Sequence, residues 1–281
     1  MKRIVMSMTL ALVLAVPVLA QDAPVAVQQD LPPGCNLSVL SEVFTSVGTA
    51  LADMELPVSQ AMGLMSAFEG LMQDTKIACG EVEVLPIEGA IDFSQIEQSR
   101  LEDGGFVLGS PDAPITIVEF ADFLCPHCHE YDVVIAQFIK DYVMTGQARL
   151  EYRMYPVIDP QASVLAAVMV ECSDTLKPGS FWDAREMMFE LISLQGYNTL
   201  TPFRFAARAG LDFDSLATCA GEAGQIMIDA EVGQSVGVSG TPAIRMRLGD
   251  SDMVPVEYEG TVYDRGGVSL DILAAVVEAA Q

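Results

Sequence analysis

The sequence predicts an α/β protein: a sheet domain interrupted by an all-helical insertion and preceded by a small helical hairpin. Three observations carry this. An apolar strand runs directly into a helix and out to a second strand between residues 115 and 155. Every periodic segment from about 161 to 236 is helical, and strand character returns between 243 and 259. With 281 residues, 51% of them hydrophobic and 19% charged, the chain can bury a sizeable core, which argues against disorder and fibrous folds. Fourteen Lys plus Arg against 39 Asp plus Glu give a net charge of −25, a surface that repels phosphate backbones and anionic lipid. No nucleic-acid partner is expected.

Lys2 and Arg3 precede an apolar run from Ile4 to Val18, which ends in Val18-Leu19-Ala20. This is the pattern of a secretory signal peptide over 1–20, cleaved after Ala20, and it points to a periplasmic or otherwise exported protein that can keep disulfides. An uncleaved anchor is the alternative, since the run is close to the shortest span. Leu40, Val43, Phe44, Val47, Leu51 and Met54 recur at helical spacing, and Ala61, Leu64, Met65, Phe68, Leu71 and Met72 repeat it after Pro57. The two helices make a hairpin within 21–80 that brings Cys35 and Cys79 to its open end. A Cys35–Cys79 disulfide is expected there, against two independent buried thiols, since a unit this small gains a few kcal/mol from a clamp.

Residues 81–105 read as a connector, with a short strand at Glu81–Ile87 and a helix at Asp92–Glu102 stopped by Gly104-Gly105. The main domain then occupies 106–281. Phe106–Leu108 is expected as an edge strand, and Ile115–Phe120 as a strand buried on both faces. A helix from about Pro126 to Val143, stopped at Gly146, leads to a strand from Arg149 to Tyr155, completing a βαβ unit. The helical insertion at about 161–236 has breaks at Pro178-Gly179, Gly196, Gly210 and Gly221. Strands at Ala243–Leu248 and Val254–Glu259 and a helix at Leu270–Ala280 close the chain.

The strand-to-helix junction carries Cys125-Pro126-His127-Cys128. A thiol at a helix N-terminus faces free N–H groups and the positive end of the macrodipole, which favour the thiolate. Cys125 is therefore the candidate nucleophile. Cys128, one turn later, can attack a mixed disulfide formed on Cys125 and release the partner. Pro126 sits where no backbone donor is needed, and His127 can donate a hydrogen bond or add positive charge beside the thiolate. Stabilising the reduced form makes the disulfide a stronger oxidant.

The stretch Val118-Glu119-Phe120-Ala121-Asp122-Phe123-Leu124-Cys125-Pro126-His127-Cys128 resembles the active-site strand and helix of DsbA-type thiol:disulfide oxidoreductases, thioredoxin-fold proteins with a helical insertion. Gly237-Val238-Ser239-Gly240-Thr241-Pro242 resembles the loop that carries that family's cis-proline, and Phe181-Trp182 and Gly210-Leu211-Asp212 resemble landmarks of its helical segment. The resemblance covers about 106–281 and implies that Pro242 faces the cysteines while the Thr241 backbone holds a substrate peptide. It further implies that Glu119 is a buried acid beneath Cys128, with a raised pKa and able to exchange a proton with it; an acid satisfied by unrelated hydrogen bonds is the alternative. Asp122 reads only as a strand-end or capping residue. A structural Cys172–Cys219 disulfide is implied by relatives of this kind, against buried free thiols.

The implied reaction introduces disulfides into reduced or unfolded exported proteins, with no metal or organic cofactor beyond the Cys125–Cys128 disulfide. The implied reoxidising partner is a quinone-linked membrane protein. Three rival readings of the motif are c-type haem attachment through Cys-x-x-Cys-His129, zinc held by the cysteines with His127 or His129, and a silent structural bridge. Outside the motif, His129 reads as a polar residue of the first helical turn. Two alternatives to an oxidase remain: an isomerase or reductase that uses residues 21–105 to dimerise, since Thr before the cis-proline is common among isomerases, and a peptide-binding chaperone with an incidental CxxC.

Overall fold

The computed structural model describes residues 90–249 and 251–281. The signal peptide expected at 1–20, the helical hairpin expected within 21–80 with its Cys35–Cys79 bridge, and the strand expected at Glu81–Ile87 lie outside the described residues.

Seven strands form one mixed sheet in the order β1-β2-β4-β3-β5-β6-β7. The centre follows from the sequence. β3 (Ile115–Ala121) is buried along its whole length, as a near-continuous apolar run requires when both faces are covered. α1 (Pro126–Phe138) continues through a π-helical turn at Ile139–Val143, and the chain reverses at Gly146, whose φ of +76° suits a residue with no Cβ. β4 (Arg149–Met154) then pairs parallel to β3, with Glu119 opposite Tyr152. β5 (Ala243–Leu248) takes the other side of β3 antiparallel, placing Ile244 opposite Glu119.

Between β4 and β5 the insertion folds as α2 (Ala162–Leu176), α3 (Phe181–Gln195), α4 (Thr201–Ala209), α5 (Phe213–Ala220) and α6 (Gln225–Ser235). α4 ends on Gly210 in the left-handed region, φ +65°, with the Gly210 and Leu211 N–H groups returning to the Ala206 and Ala207 carbonyls. Asp212 then caps α5 by accepting from Ser215 N. Cys172 of α2 is bonded to Cys219 of α5, with Cα atoms 5.8 Å apart.

Two cores sandwich the sheet. The larger packs Ile115, Ile117 and Ile244 against α1, α3 and α7 (Leu270–Ala279), and includes Trp182 beside Phe181 and Tyr152. The smaller, on the opposite face, holds Val118, Phe120, Tyr155, Val238 and Ala243, with Ala230 of α6 packed against it.

Three expectations need correction. Asp92–Glu102 is not a helix. Asp92 caps a single 3-10 turn at Phe93–Gln95, and β1 (Gln98–Arg100) follows, pairing antiparallel with β2 (Phe106–Leu108). Burial of Phe93 and Ile96 and completion of a strand ladder outweigh local helical propensity. β2 is consequently not an edge strand: it lies between β1 and β4, and all three residues are buried. Finally, β6 (Val254–Tyr258) turns through Glu259 and Gly260, both at positive φ, into an unexpected β7 (Thr261–Tyr263). The two-residue hairpin uses Glu where Asn or Asp is the usual signal.

Candidate active site

Cys125 is the N-cap residue of α1, extended in backbone, with Pro126 in the first turn. The N–H groups of Cys128 and His129 return to the Cys125 carbonyl, starting the helix at Cys125 itself. Both cysteines are thiols and both are buried. The Cys125 thiol reaches across 116 residues of sequence to donate to the Thr241 carbonyl at 3.3 Å. The peptide bond after Thr241 is cis and Pro242 is buried. Thus the structure brings Cys125 together with Thr241 and cis-Pro242, with Cys128 one turn further along α1.

The loop bearing Thr241 is held from the other face of the sheet. Tyr155 donates its hydroxyl to the Val238 carbonyl at 3.2 Å, and Arg245 donates to the carbonyls of Val236 at 3.1 Å and Asp264 at 3.3 Å. These anchors fix where the Thr241 carbonyl meets the cysteine.

Beneath Cys128 lies a buried ionic cluster. Glu119 is fully buried, and burial pushes its carboxyl from the ordinary 4.5 up to about 7; Arg185 pulls against that shift, while Asp132 and Glu186 add to it. Arg185, equally buried, comes from α3 of the insertion. Its guanidinium lies 3.3 Å from Glu119, 2.7 Å from Asp132 and 2.6 Å from Glu186, and over the rings of Tyr152 and Phe189. Burial also drives the Cys128 thiol far above the ordinary thiol range, a shift that the nearby Glu119 charge increases. The Thr241 hydroxyl, otherwise unpartnered, and a backbone hydrogen bond from Asp122 oppose it. Cys128 is a thiol that leaves as an anion only at high cost, next to an acid titrating near neutrality.

His127 is exposed, and its Nδ1 lies 3.2 Å from a carboxylate oxygen of Glu130, so its ring is engaged on the surface of α1. Pro126 is exposed beside it. Asp122 does more than end a strand. Buried, it accepts from Leu124 N at 2.9 Å through one oxygen, and from Val157 N at 2.7 Å and Ile158 N at 2.8 Å through the other. It ties the active-site loop to the segment after β4. Its place three residues before Cys125 is an Asx-turn signal. Sequence reasoning missed Arg185; the signal that could have pointed to it is a charge falling on the apolar stripe Phe181, Trp182, Met188, Phe189 and Ile192 of α3.

The family model described as thioredoxin matches residues 102–250. A disulfide bond formation protein D of Bacillus subtilis is 28% identical over 152 residues, covering 49% of this chain and 65% of that protein. A Na(+)/H(+) antiporter, NhaA 3, of Salinispora tropica is 32% identical over 149 residues, covering 50% of this chain but 21% of the antiporter. The chain thus spans less than two thirds of either relative. Among solved structures, alpha-DsbA1 of Wolbachia pipientis superposes with a TM-score of 0.52 at 22% identity, covering 63% of this chain and 90% of that one. A thioredoxin-like oxidoreductase from Silicibacter pomeroyi superposes with a TM-score of 0.50 at 24% identity, covering 64% and 93%. These structures share the fold, and because the family model takes in more than half of the residues, the chain belongs to the thioredoxin family.

Proposed function

We propose that the chain is an exported thiol:disulfide oxidoreductase that introduces disulfides into reduced or unfolded proteins. One observation carries the reading: Cys125 caps α1 with its sulfur against the carbonyl of Thr241, which precedes cis-Pro242. The name of the Bacillus relative, a disulfide bond formation protein, supports it, and the leader at 1–20 supports export. In the oxidised enzyme a substrate thiolate attacks the Cys125 sulfur, and the Cys125–Cys128 bond breaks with its electron pair going to Cys128. Glu119 supplies the proton that turns this poor anionic leaving group into a thiol. A second substrate thiolate then attacks the mixed disulfide and releases Cys125 as thiolate. The substrate has lost two electrons and the enzyme has gained them. Thr241 and Pro242 hold the substrate strand by its backbone, which favours breadth over sequence specificity. The reaction needs no metal or organic cofactor, and a quinone-linked membrane partner reoxidises the pair.

The test is Cys125→Ser, which is expected to abolish disulfide transfer to a reduced protein, whereas Cys128→Ser, offered a protein disulfide, should accumulate the mixed disulfide through attack by Cys125. Full transfer by Cys125→Ser refutes the assignment, and unchanged suppression of aggregation alone would indicate a chaperone. Direction is read from the Cys125/Cys128 reduction potential. A value near about −120 mV supports an oxidase, and one at or below about −180 mV supports an isomerase or reductase. Thr241 before the cis-proline favours that second reading, in which residues 21–105 dimerise the enzyme. Size exclusion with and without residues 21–89 tests it, because β1 and the buried Phe93 and Ile96 make residues 90–105 part of the sheet domain.

A further inference from the structure

His129 follows Cys128 directly, and its ring is bound at three points. Nε2 lies 2.7 Å from the Phe123 carbonyl, Nδ1 lies 2.7 Å from the Ser193 hydroxyl of α3, and the ring meets Phe189 edge-on at 5.0 Å. A carbonyl only accepts, so the proton is on Nε2. The Ser193 hydroxyl then donates to Nδ1 when the ring is neutral and accepts from it when the ring is charged, so neither bond depends on protonation.

The Phe123 carbonyl belongs to the same peptide unit as the Leu124 N–H, which Asp122 Oδ1 holds at 2.9 Å. One peptide plane is therefore gripped at both ends, by His129 at its oxygen and by Asp122 at its nitrogen. That plane lies immediately before Leu124-Cys125, within the turn closed by Cys125 N on the Asp122 carbonyl at 3.0 Å. Its orientation decides how the chain enters α1 and where the Cys125 sulfur sits relative to the helix N-terminus and the Thr241 carbonyl.

We propose that His129 is a positioning residue for the redox centre: anchored on Ser193 of the insertion, it fixes the Phe123–Leu124 peptide plane and so presents Cys125 at the N-terminus of α1. The inference rests on the oxidoreductase reading and deepens it. With the plane free to rotate, the Cys125 sulfur is no longer held in one place between the N-terminus of α1 and the Thr241 carbonyl, the reduced form is less stabilised, and the disulfide becomes a weaker oxidant.

The test compares the parent with His129→Phe, which keeps a ring against Phe189 but no polar arm, and His129→Gln, whose amide can still donate to the Phe123 carbonyl. Two readouts are taken on the full exported chain. One is the equilibrium constant of the Cys125/Cys128 pair against glutathione, and the other is the rate of disulfide transfer to a reduced protein. His129→Phe is expected to lower the constant about tenfold, equivalent to about 30 mV for a two-electron couple, and to slow transfer by a similar factor. His129→Gln is expected to restore most of both. If His129→Phe folds, lowers the melting temperature and leaves both readouts within about twofold of the parent, the residue is merely structural and the proposal fails; failure of His129→Gln to rescue also overturns it. Should His129→Phe not fold, Ser193→Ala, which removes only the anchor, is expected to move the constant two- to threefold in the same direction, and no movement overturns the proposal. A parent that equilibrates with glutathione but transfers no disulfide refutes the oxidoreductase reading, while the equilibrium constants still decide the role of His129.

Discussion

Substituting Glu119 by Gln removes a buried ionisable group while keeping its shape, and the structure sets the size of the effect. In the unfolded chain this carboxyl titrates near 4.5, and in the fold near 7. A carboxyl whose folded pKa is raised favours folding while it is protonated: the contribution is complete below 4.5 and is lost as pH rises through about 7. At about 1.4 kcal/mol per pH unit, that gap corresponds to about 3 kcal/mol. The assay is urea unfolding from pH 4 to 8.5 in a Cys125→Ser/Cys128→Ser background, which removes thiol titration. The chain with Glu119 should lose about 3 kcal/mol more stability over this range than the Glu119→Gln chain. Asp229, raised to about 6 by burial, titrates in both and cancels in the difference. Parallel stability curves would refute the placement of Glu119 as a neutral acid near pH 7, and with it the proton donor proposed for Cys128. In the active enzyme, the transfer rate should inflect near pH 7, and the inflection should vanish in Glu119→Gln.

Replacing Cys172 and Cys219 together by Ala opens a loop with a sequence separation of 47, worth up to about 4 kcal/mol by the chain-entropy relation. Denaturant melts should show most of this loss while the potential of Cys125/Cys128 stays unchanged, and a shifted potential would mean that the bridge acts on the site. Arg185→Met breaks buried ion pairs and should cost about 3 to 5 kcal/mol, more at pH 8 than at pH 5, because the Glu119 carboxylate then has no counter-ion. Adding Glu119→Gln should remove that pH dependence, and an unaltered dependence in the double variant would show that the two side chains do not interact.

The sheet and insertion were legible because their signals are periodic. An apolar run buried on both faces, a Pro-opened helix and a Gly-stopped turn each have one natural reading, and β3, α1 and β4 follow them closely. The reading fails where pairing or charge decides. Residues 92–102 have too few apolar positions to separate a helix from a strand, and the presence of β2 beside them settles it. In the site, the cysteines, Thr241 and Pro242 carry a recognisable motif. Glu119 was visible as a charge inside an apolar strand. Its counter-ion was not, because Arg185 is 66 residues away and arginine in a helix normally reads as surface.

This distribution of arginine explains how a chain of net charge −25 builds its centre. Arg153, Arg185, Arg204 and Arg245 are all buried to 2% exposure or less, an arrangement that costs free energy unless every charge is paired or hydrogen-bonded. Arg153 meets Glu151 at 2.7 Å, Asp229 of α6 at 3.0 Å and Asp103 at 2.8 Å, so it joins β4, the insertion and the turn before β2. Arg245 joins the end of α6 to the segment after β7 through carbonyls alone. Arg185 joins α3 to β3 and α1 directly under the redox pair. The insertion therefore reaches the candidate site as well as building the fold: it supplies the cation facing Glu119. A thioredoxin domain stripped of residues 161–236 would leave Glu119 and Asp132 facing each other without Arg185, and would lose the His129 anchor on Ser193 at the same time.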